Sequence, residues 1–214
     1  MSLSPKVLIF CPGIRFANSL IQDLSQCGHS FSSSSVLDFA SSHENKTVKI
    51  VSGFLGIPSA KILADNLVDD SIKQIVFFGS CLLSSRESNK ESLGLPCIAS
   101  EVVSDFSDFE FTDIDNKLFK KNDAFQALRC QTSLLPVSDS GGLDLKEPFI
   151  CEMELAPVAN KAKEYKIDVS TLFIVSDYLN EDGHFTGFGS SKFKSSIKEY
   201  SQYIAGVLSE SYEI

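Results

Sequence analysis

Apolar residues gather in four short runs rich in β-branched and aromatic side chains: Val7–Phe10, Val48–Val51, Ile75–Phe78 and Leu172–Val175. Phe149–Cys151 is a fifth, shorter run. Runs this continuous, without polar alternation, predict strands buried on both faces and hence a mostly parallel sheet. Between them the apolar positions recur every three or four residues. Phe16, Ala17, Leu20, Ile21 and Leu24 form one stripe, and Ile57, Ala60, Ala64, Leu67 and Val68 a second. Leu155, Val158, Ala159, Ala162 and Tyr165 form a third, and Phe193, Ile197, Tyr200, Ile204 and Val207 a fourth. Each is the core-facing side of a helix. Pro58 and Pro157 stand near the starts of the second and third, where a helix has no N–H bond to lose. Strand and helix alternate. The prediction is an α/β fold, a single three-layer αβα domain with a mostly parallel central mixed sheet.

Two stretches break the alternation. The Ser-rich segment 29–47, HSFSSSSVLDFASSHENKT, reads as loop with at most one short strand. Residues 84–140 carry weaker strand patterns, Ile98–Val103 and Cys130–Val137, and a polar patch, DFSDFEFTDIDNK. No internal repeat or linker divides the chain, and 214 residues suit one core, so 1–214 is expected to be one domain.

Charge narrows the functions. With 28 acidic against 19 basic residues and a net charge of −9, the chain lacks the basic clustering that a nucleic-acid backbone requires. Its six cysteines (Cys11, Cys27, Cys81, Cys97, Cys130, Cys151) form no CxxC pair and flank no His cluster, so no structural zinc site is expected. They read as free thiols of a reducing compartment. KVLIF is too short for a secretory signal and no later run reaches membrane-spanning length. A cytoplasmic protein without membrane partners is expected.

Ligands of open α/β sheets bind beyond the carboxyl ends of the strands. There this chain places CPGIR (11–15), SGFLGIPSA (52–60), GSC (79–81), EME (152–154) and SD (176–177). Each has an ordinary reading. Gly53 and Gly56 suit turns. Asp177 suits a helix cap or turn. Arg15 suits a surface, Met153 suits packing, His184 suits a polar loop, and Glu152 and Glu154 suit a solvated first helical turn. There is neither a GxGxxG fingerprint nor a GxSxG elbow. The shared edge, rather than any one residue, predicts a polar cleft.

The ordered set PG…R, SG…GIPSA, GSC, EMEL and SD resembles the nucleoside phosphorylase family, which includes purine nucleoside and uridine phosphorylases and the methylthioadenosine/adenosylhomocysteine nucleosidases. The resemblance runs from Lys6 to about Leu208. It is most specific in EME ahead of SD and in GIPSA opening a helix, and SDYLNEDGHFTGF is similar to the loop after the family's catalytic aspartate. The resemblance implies a phosphorylase-like fold and cleavage of an N-glycosidic bond in a nucleoside. It implies that Glu154 holds the ribose 2′- and 3′-hydroxyls, that Met153 packs on the sugar, and that Glu152 adds a ribose contact. Asp177 is then the general acid at N7 of a purine. Arg15, Ser80 and Gly13 correspond to the phosphate or nucleophile side. Base contacts are implied for the loop SDSGGLDLKE (138–147), and a homo-oligomer, dimer or larger, is implied as well. No metal or organic cofactor follows from it, only inorganic phosphate as a co-substrate.

The chain also departs from the family. CPGIRFAN holds no carboxylate where the hydrolytic members activate water. FFGSC lacks the arginine that hexameric phosphorylases carry ahead of this glycine, and Leu82 and Leu83 replace glycines that often follow. Because Arg15 and Ser80 remain, phosphorolysis of a purine nucleoside is slightly favoured. A nucleosidase acting on methylthioadenosine or a related nucleoside stands beside it, as does a nucleoside-binding relative without turnover.

Overall fold

The computed structural model describes residues 6–85, 89–104, 109, 111–119, 122–133, 147–180, 182, 184–187 and 189–212. In chain order the elements are β1 (Val7–Cys11), α1 (Ile14–Gln26), β2 (Ser32–Val36), β3 (Ala40–Glu44), β4 (Val48–Ser52), α2 (Gly56–Leu67), β5 (Gln74–Ser84), β6 (Pro96–Ser104), β7 (Thr112–Asp113), β8 (Gln126–Thr132), β9 (Phe149–Glu152), α3 (Leu155–Tyr165), β10 (Asp168–Leu179), β11 (Phe185–Thr186) and α4 (Ser191–Tyr212). Every apolar run becomes a strand and every stripe a helix.

All described strands join one mixed sheet. β4, β1, β5 and β10 run parallel, which accounts for their continuous apolar sequences. β6, β8 and β9 form a second parallel block. The blocks meet antiparallel at two places, β10 with β6 and β5 with β9. Because β10 pairs with both β5 and β6, the strands β5, β9, β8, β6 and β10 close into a five-stranded barrel. Closure leaves these strands no free edge.

Helices cover both faces of the sheet. Phe16 and Leu20 of α1 pack with Ile197, Ile204 and Leu208 of α4 over Val76, Phe78, Leu172 and Ile174. Ala60 and Leu63 of α2 and Leu155, Val158 and Ala162 of α3 bury the opposite side with Phe10, Phe77 and Phe173. The Ser201 hydroxyl between α4 and α1 donates to the buried Asp23 carboxylate, so that carboxylate has a polar partner in the interior. Among the described residues no helix is long and apolar enough to cross a membrane.

Two sequence expectations are corrected. The Ser-rich segment is a hairpin of two strands, β2 and β3, rather than loop with one strand at most. β3 extends the sheet beside β4, and the Ser34 and Ser42 hydroxyls pair across the hairpin at 2.9 Å. Four of the five β2 residues are exposed, so no apolar pattern marks this edge strand. The second weak pattern in 84–140 starts earlier, at Gln126, and ends at Thr132; residues 134–137 lie outside the described residues. Both weak strands prove integral to the barrel, where they pair with each other in parallel.

Candidate active site

The carboxyl ends of β1, β8 and β9, the later part of β10 and the interior of β5 surround a cavity of about 440 Å³. The turn after β1 contributes Pro12 and Gly13, and β5 contributes Ser80, Cys81 and Leu82. Ser133 follows β8, and the end of β9 brings Cys151, Glu152, Met153 and Glu154. Ser176 and Asp177 come from β10, with Leu55 and Phe185 at the apolar walls. Of the predicted site residues, Gly13, Ser80, Glu152, Met153, Glu154 and Asp177 therefore meet in one cavity.

Glu152 and Glu154 are not solvated helix-start acids, as each is only 6% exposed. Glu152 Oε2 accepts the N–H groups of Glu154 at 2.6 Å and Leu155 at 2.7 Å, and Oε1 accepts the Thr132 hydroxyl. Thr132 Oγ1 in turn accepts the N–H of Ala156 at 3.1 Å. Glu152 and Thr132 together satisfy donors at the start of α3, which would otherwise be left without partners in the interior. Glu154 is held from the other side. Its Oε1 accepts the N–H of Gly56 at 2.7 Å, the first residue of α2. Gly56 has φ +78°, a conformation that favours glycine and turns this N–H into the site.

Burial raises both carboxyls. Glu152 is pushed up to about 8, first by loss of water and then by the neighbouring Glu154 charge, against the hydrogen bonds from Thr132 and the backbone. Glu154 is also raised by burial, opposed by the N–H groups of Gly56 and Met153. The folded protein thus keeps the Glu152 proton that the unfolded chain releases near 4.5. Folding takes up a proton between these values, so this group's contribution makes stability fall as pH rises from about 4.5 to about 8. Glu152→Gln keeps the shape and the acceptor for both N–H groups but cannot ionise. Urea midpoints across that range should slope less in Glu152→Gln than in wild type, and equal slopes would contradict this assignment.

Asp177 owes its position to a β-bulge. Against β5, Val175 pairs with Cys81 and Asp177 with Leu82, leaving Ser176 as the extra residue. A bulge bends a strand and re-aims the side chains that follow. The Ser176 hydroxyl lies 3.1 Å from the Cys81 carbonyl and 2.7 Å from Asp177 Oδ2, tying the bulge to β5 and the carboxylate to the bulge. Gly187, beyond β11, lies so close that a Cβ there would come within 2.5 Å of Leu93 and 3.1 Å of the Ser176 carbonyl. The loop after Asp177 thus packs directly on the bulge.

The nucleophile side divides. Gly13 and Ser80 line the cavity, whereas Arg15 does not. The core face of α1 is Phe16, Ala17, Leu20 and Leu24, which leaves Arg15 on an exposed flank of its first turn. His184 is exposed in the loop after β10, where its N–H donates to Asn180 Oδ1. Residues 138–146 of the expected base-contacting loop lie outside the described residues, and Glu147 is exposed. The sequence reading missed Thr132 and Ser133, and it placed the segments of Ser176, Leu55 and Phe185 at the cleft without giving those three residues a role. Extending the strand-end rule to β8 points to the first two. Among the described residues no group of three or more His, Cys, Asp or Glu is arranged to hold a metal ion.

No family model matches the sequence, and comparison with curated proteins finds no match. Solved structures do match. The 5′-methylthioadenosine/S-adenosylhomocysteine nucleosidase of Campylobacter jejuni superposes with a TM-score of 0.75 at 16% identity, covering 96% of this chain and 99% of that one. A futalosine hydrolase mutant of Helicobacter pylori gives 0.72 at 11% identity, covering 96% and 99%. The purine nucleoside phosphorylase of Toxoplasma gondii, in complex with immucillin-H, gives 0.75 at 12% identity, covering 97% and 92%. At these identities the likeness is one of fold. The chain has the fold of the nucleoside phosphorylase and nucleosidase superfamily, the one its ordered motifs resemble.

Proposed function

We propose that the protein cleaves the N-glycosidic bond of a purine nucleoside, with water rather than phosphate as the acceptor. The observation that carries this reading is the meeting of Glu154 and Asp177 on one nucleoside-sized cavity, each locked by a neighbouring group. Breaking the bond builds positive charge on the sugar and negative charge on the base. Glu154 accepts from vicinal sugar hydroxyls and opposes the positive charge. Asp177 delivers a proton to the base as it leaves. Met153, beside Gly56, packs on the sugar. Glu152 commits both carboxyl oxygens to protein donors, so its role is to hold Glu154 and the start of α3 rather than to bind ribose.

The choice of water rests on charge. Among the described residues lining the cavity there is no Lys or Arg, and Glu154 is acidic. A phosphate dianion placed there without a counter-cation would be costly. Arg15, the main support for phosphorolysis in the sequence, is on the outside of α1. The first N–H groups of α3, a ready anion site elsewhere, already bind Glu152 and Thr132. Leu55 and Phe185 suit an uncharged nucleoside such as methylthioadenosine better than a nucleotide. Ile14 and Leu55, 58% and 72% exposed, are apolar surface of the kind that a second copy of the chain covers in a homo-oligomer.

Identifying the sugar product tests the acceptor. Incubated with adenosine, inosine or methylthioadenosine, the protein should yield free sugar at the same rate with and without phosphate. Sugar 1-phosphate formed only with phosphate would replace hydrolysis by phosphorolysis.

A further inference from the structure

Four buried cysteines lie on the strands of the barrel: Cys81 on β5, Cys97 on β6, Cys130 on β8 and Cys151 on β9. The cleavage chemistry uses none of them. Cys81 Sγ lies 3.5 Å from Cys97 Sγ. In the sheet β10 separates β5 from β6, which in a flat sheet would put the two strands about 10 Å apart. Side chains two strands apart touch only when both lean over the concave face of a strongly curved sheet. Barrel closure therefore presses the two thiols together across β10, at Phe173, the residue paired with Cys97, and Val175, the one paired with Cys81. Only Cys81 of the two lines the cavity. Its carbonyl is also the group that receives the Ser176 hydroxyl beside Asp177.

We propose that Cys81 and Cys97 form an oxidisable thiol pair in the cavity wall, converted by a peroxide that enters the cavity into a disulfide that reversibly shuts the site. Cys81 attacks hydrogen peroxide and becomes a sulfenic acid, releasing one water. Cys97 then displaces hydroxide from that sulfur, forming the S–S bond and releasing a second water. Two thiols lose two electrons and two protons, and one peroxide takes them up. The sulfurs must close from 3.5 Å to about 2.05 Å, which draws β5 toward β6. That movement displaces the Cys81 carbonyl that anchors the Ser176 bulge, and with it Asp177. Burial holds the Cys81 thiol well above its ordinary value, so oxidation is slow at neutral pH and quickens as pH rises. Loss of activity rests on the proposed cleavage reaction; the cross-link does not.

The test uses the full chain carrying Cys27→Ser, which removes the one exposed thiol. After treatment with hydrogen peroxide at mildly alkaline pH, titratable thiols should fall from five to three, and peptide mapping should show one Cys81–Cys97 cross-link. Base release should drop at least tenfold and return with dithiothreitol. Adding Cys97→Ala should abolish the cross-link and leave Cys81 reactive to a sulfenic-acid probe. A cross-link to Cys130 or Cys151 instead, or none, would overturn the pair. The correct cross-link with undiminished base release would overturn the switch. An untreated protein that releases no base fails the cleavage reading alone, while the cross-link is still read by mapping.

Discussion

Asp177→Asn is expected to slow base release from purine nucleosides by about 10²- to 10⁴-fold, the span of a lost general acid. The change should leave the fold intact. Asn keeps the size of Asp and an oxygen that accepts the Ser176 hydroxyl, and the Val175–Asp177 bulge depends on backbone pairing with β5. Asn can donate a hydrogen bond to the base but cannot surrender a proton to it. The loss should therefore depend on the leaving group. A riboside of nitrophenol, which departs without protonation, should lose far less than inosine or adenosine. Steady-state kinetics on both substrates, with thermal unfolding as the control for folding, measure this. Full activity on purine nucleosides would remove Asp177 from the mechanism.

Glu154→Gln carries the second large effect, a fall of about 10²- to 10³-fold in kcat/KM, as for loss of one preorganised electrostatic contact to a developing charge. The Gln carbonyl can still accept the Gly56 N–H. What disappears is the negative charge facing the sugar and the second acceptor for its hydroxyls, replaced by an NH₂ that meets those hydroxyls donor to donor. The penalty should shrink on a 2′,3′-dideoxynucleoside, which has no vicinal hydroxyls to hold. Glu152→Gln, by contrast, should keep kcat close to wild type, because the oxygens it replaces serve Thr132, Glu154 and Leu155 rather than the substrate. An equal loss in both variants would put Glu152 at the sugar as well.

The two glutamates show where sequence reading succeeds and where it stops. Their place after a short apolar run, ahead of VSD on the next strand, suggests the ligand-binding edge of a parallel sheet, yet β9 runs antiparallel to β5 and brings them to the cavity because its end meets the interior of β5 at Leu82. The sequence does not say which of the two is free to work. That depends on Thr132, which lies twenty residues earlier in the chain than Glu152 and meets it only because β8 and β9 are parallel neighbours. The barrel is hidden for the same reason. β10 was legible as a buried strand, but its simultaneous pairing with β5 and β6 is a long-range fact carried by no local pattern. The β2–β3 hairpin escaped because four serines in a row leave an exposed edge with neither alternation nor apolar run. The turn before α1 enters the cavity through Pro12 and Gly13, whereas Arg15 is exposed and off the core stripe of α1, a placement that its position in CPGIR alone does not reveal.

The most direct measurement is time-resolved chromatography of free base from a purine nucleoside incubated with the protein, run beside Asp177→Asn and Glu154→Gln. Glycosidic cleavage at this cavity predicts that wild type releases base catalytically, over many turnovers, and that both variants fall by about two orders of magnitude or more. Nucleoside bound at the cavity with no base released, from any purine nucleoside and with or without phosphate, would contradict it and leave a binding protein built on the same fold.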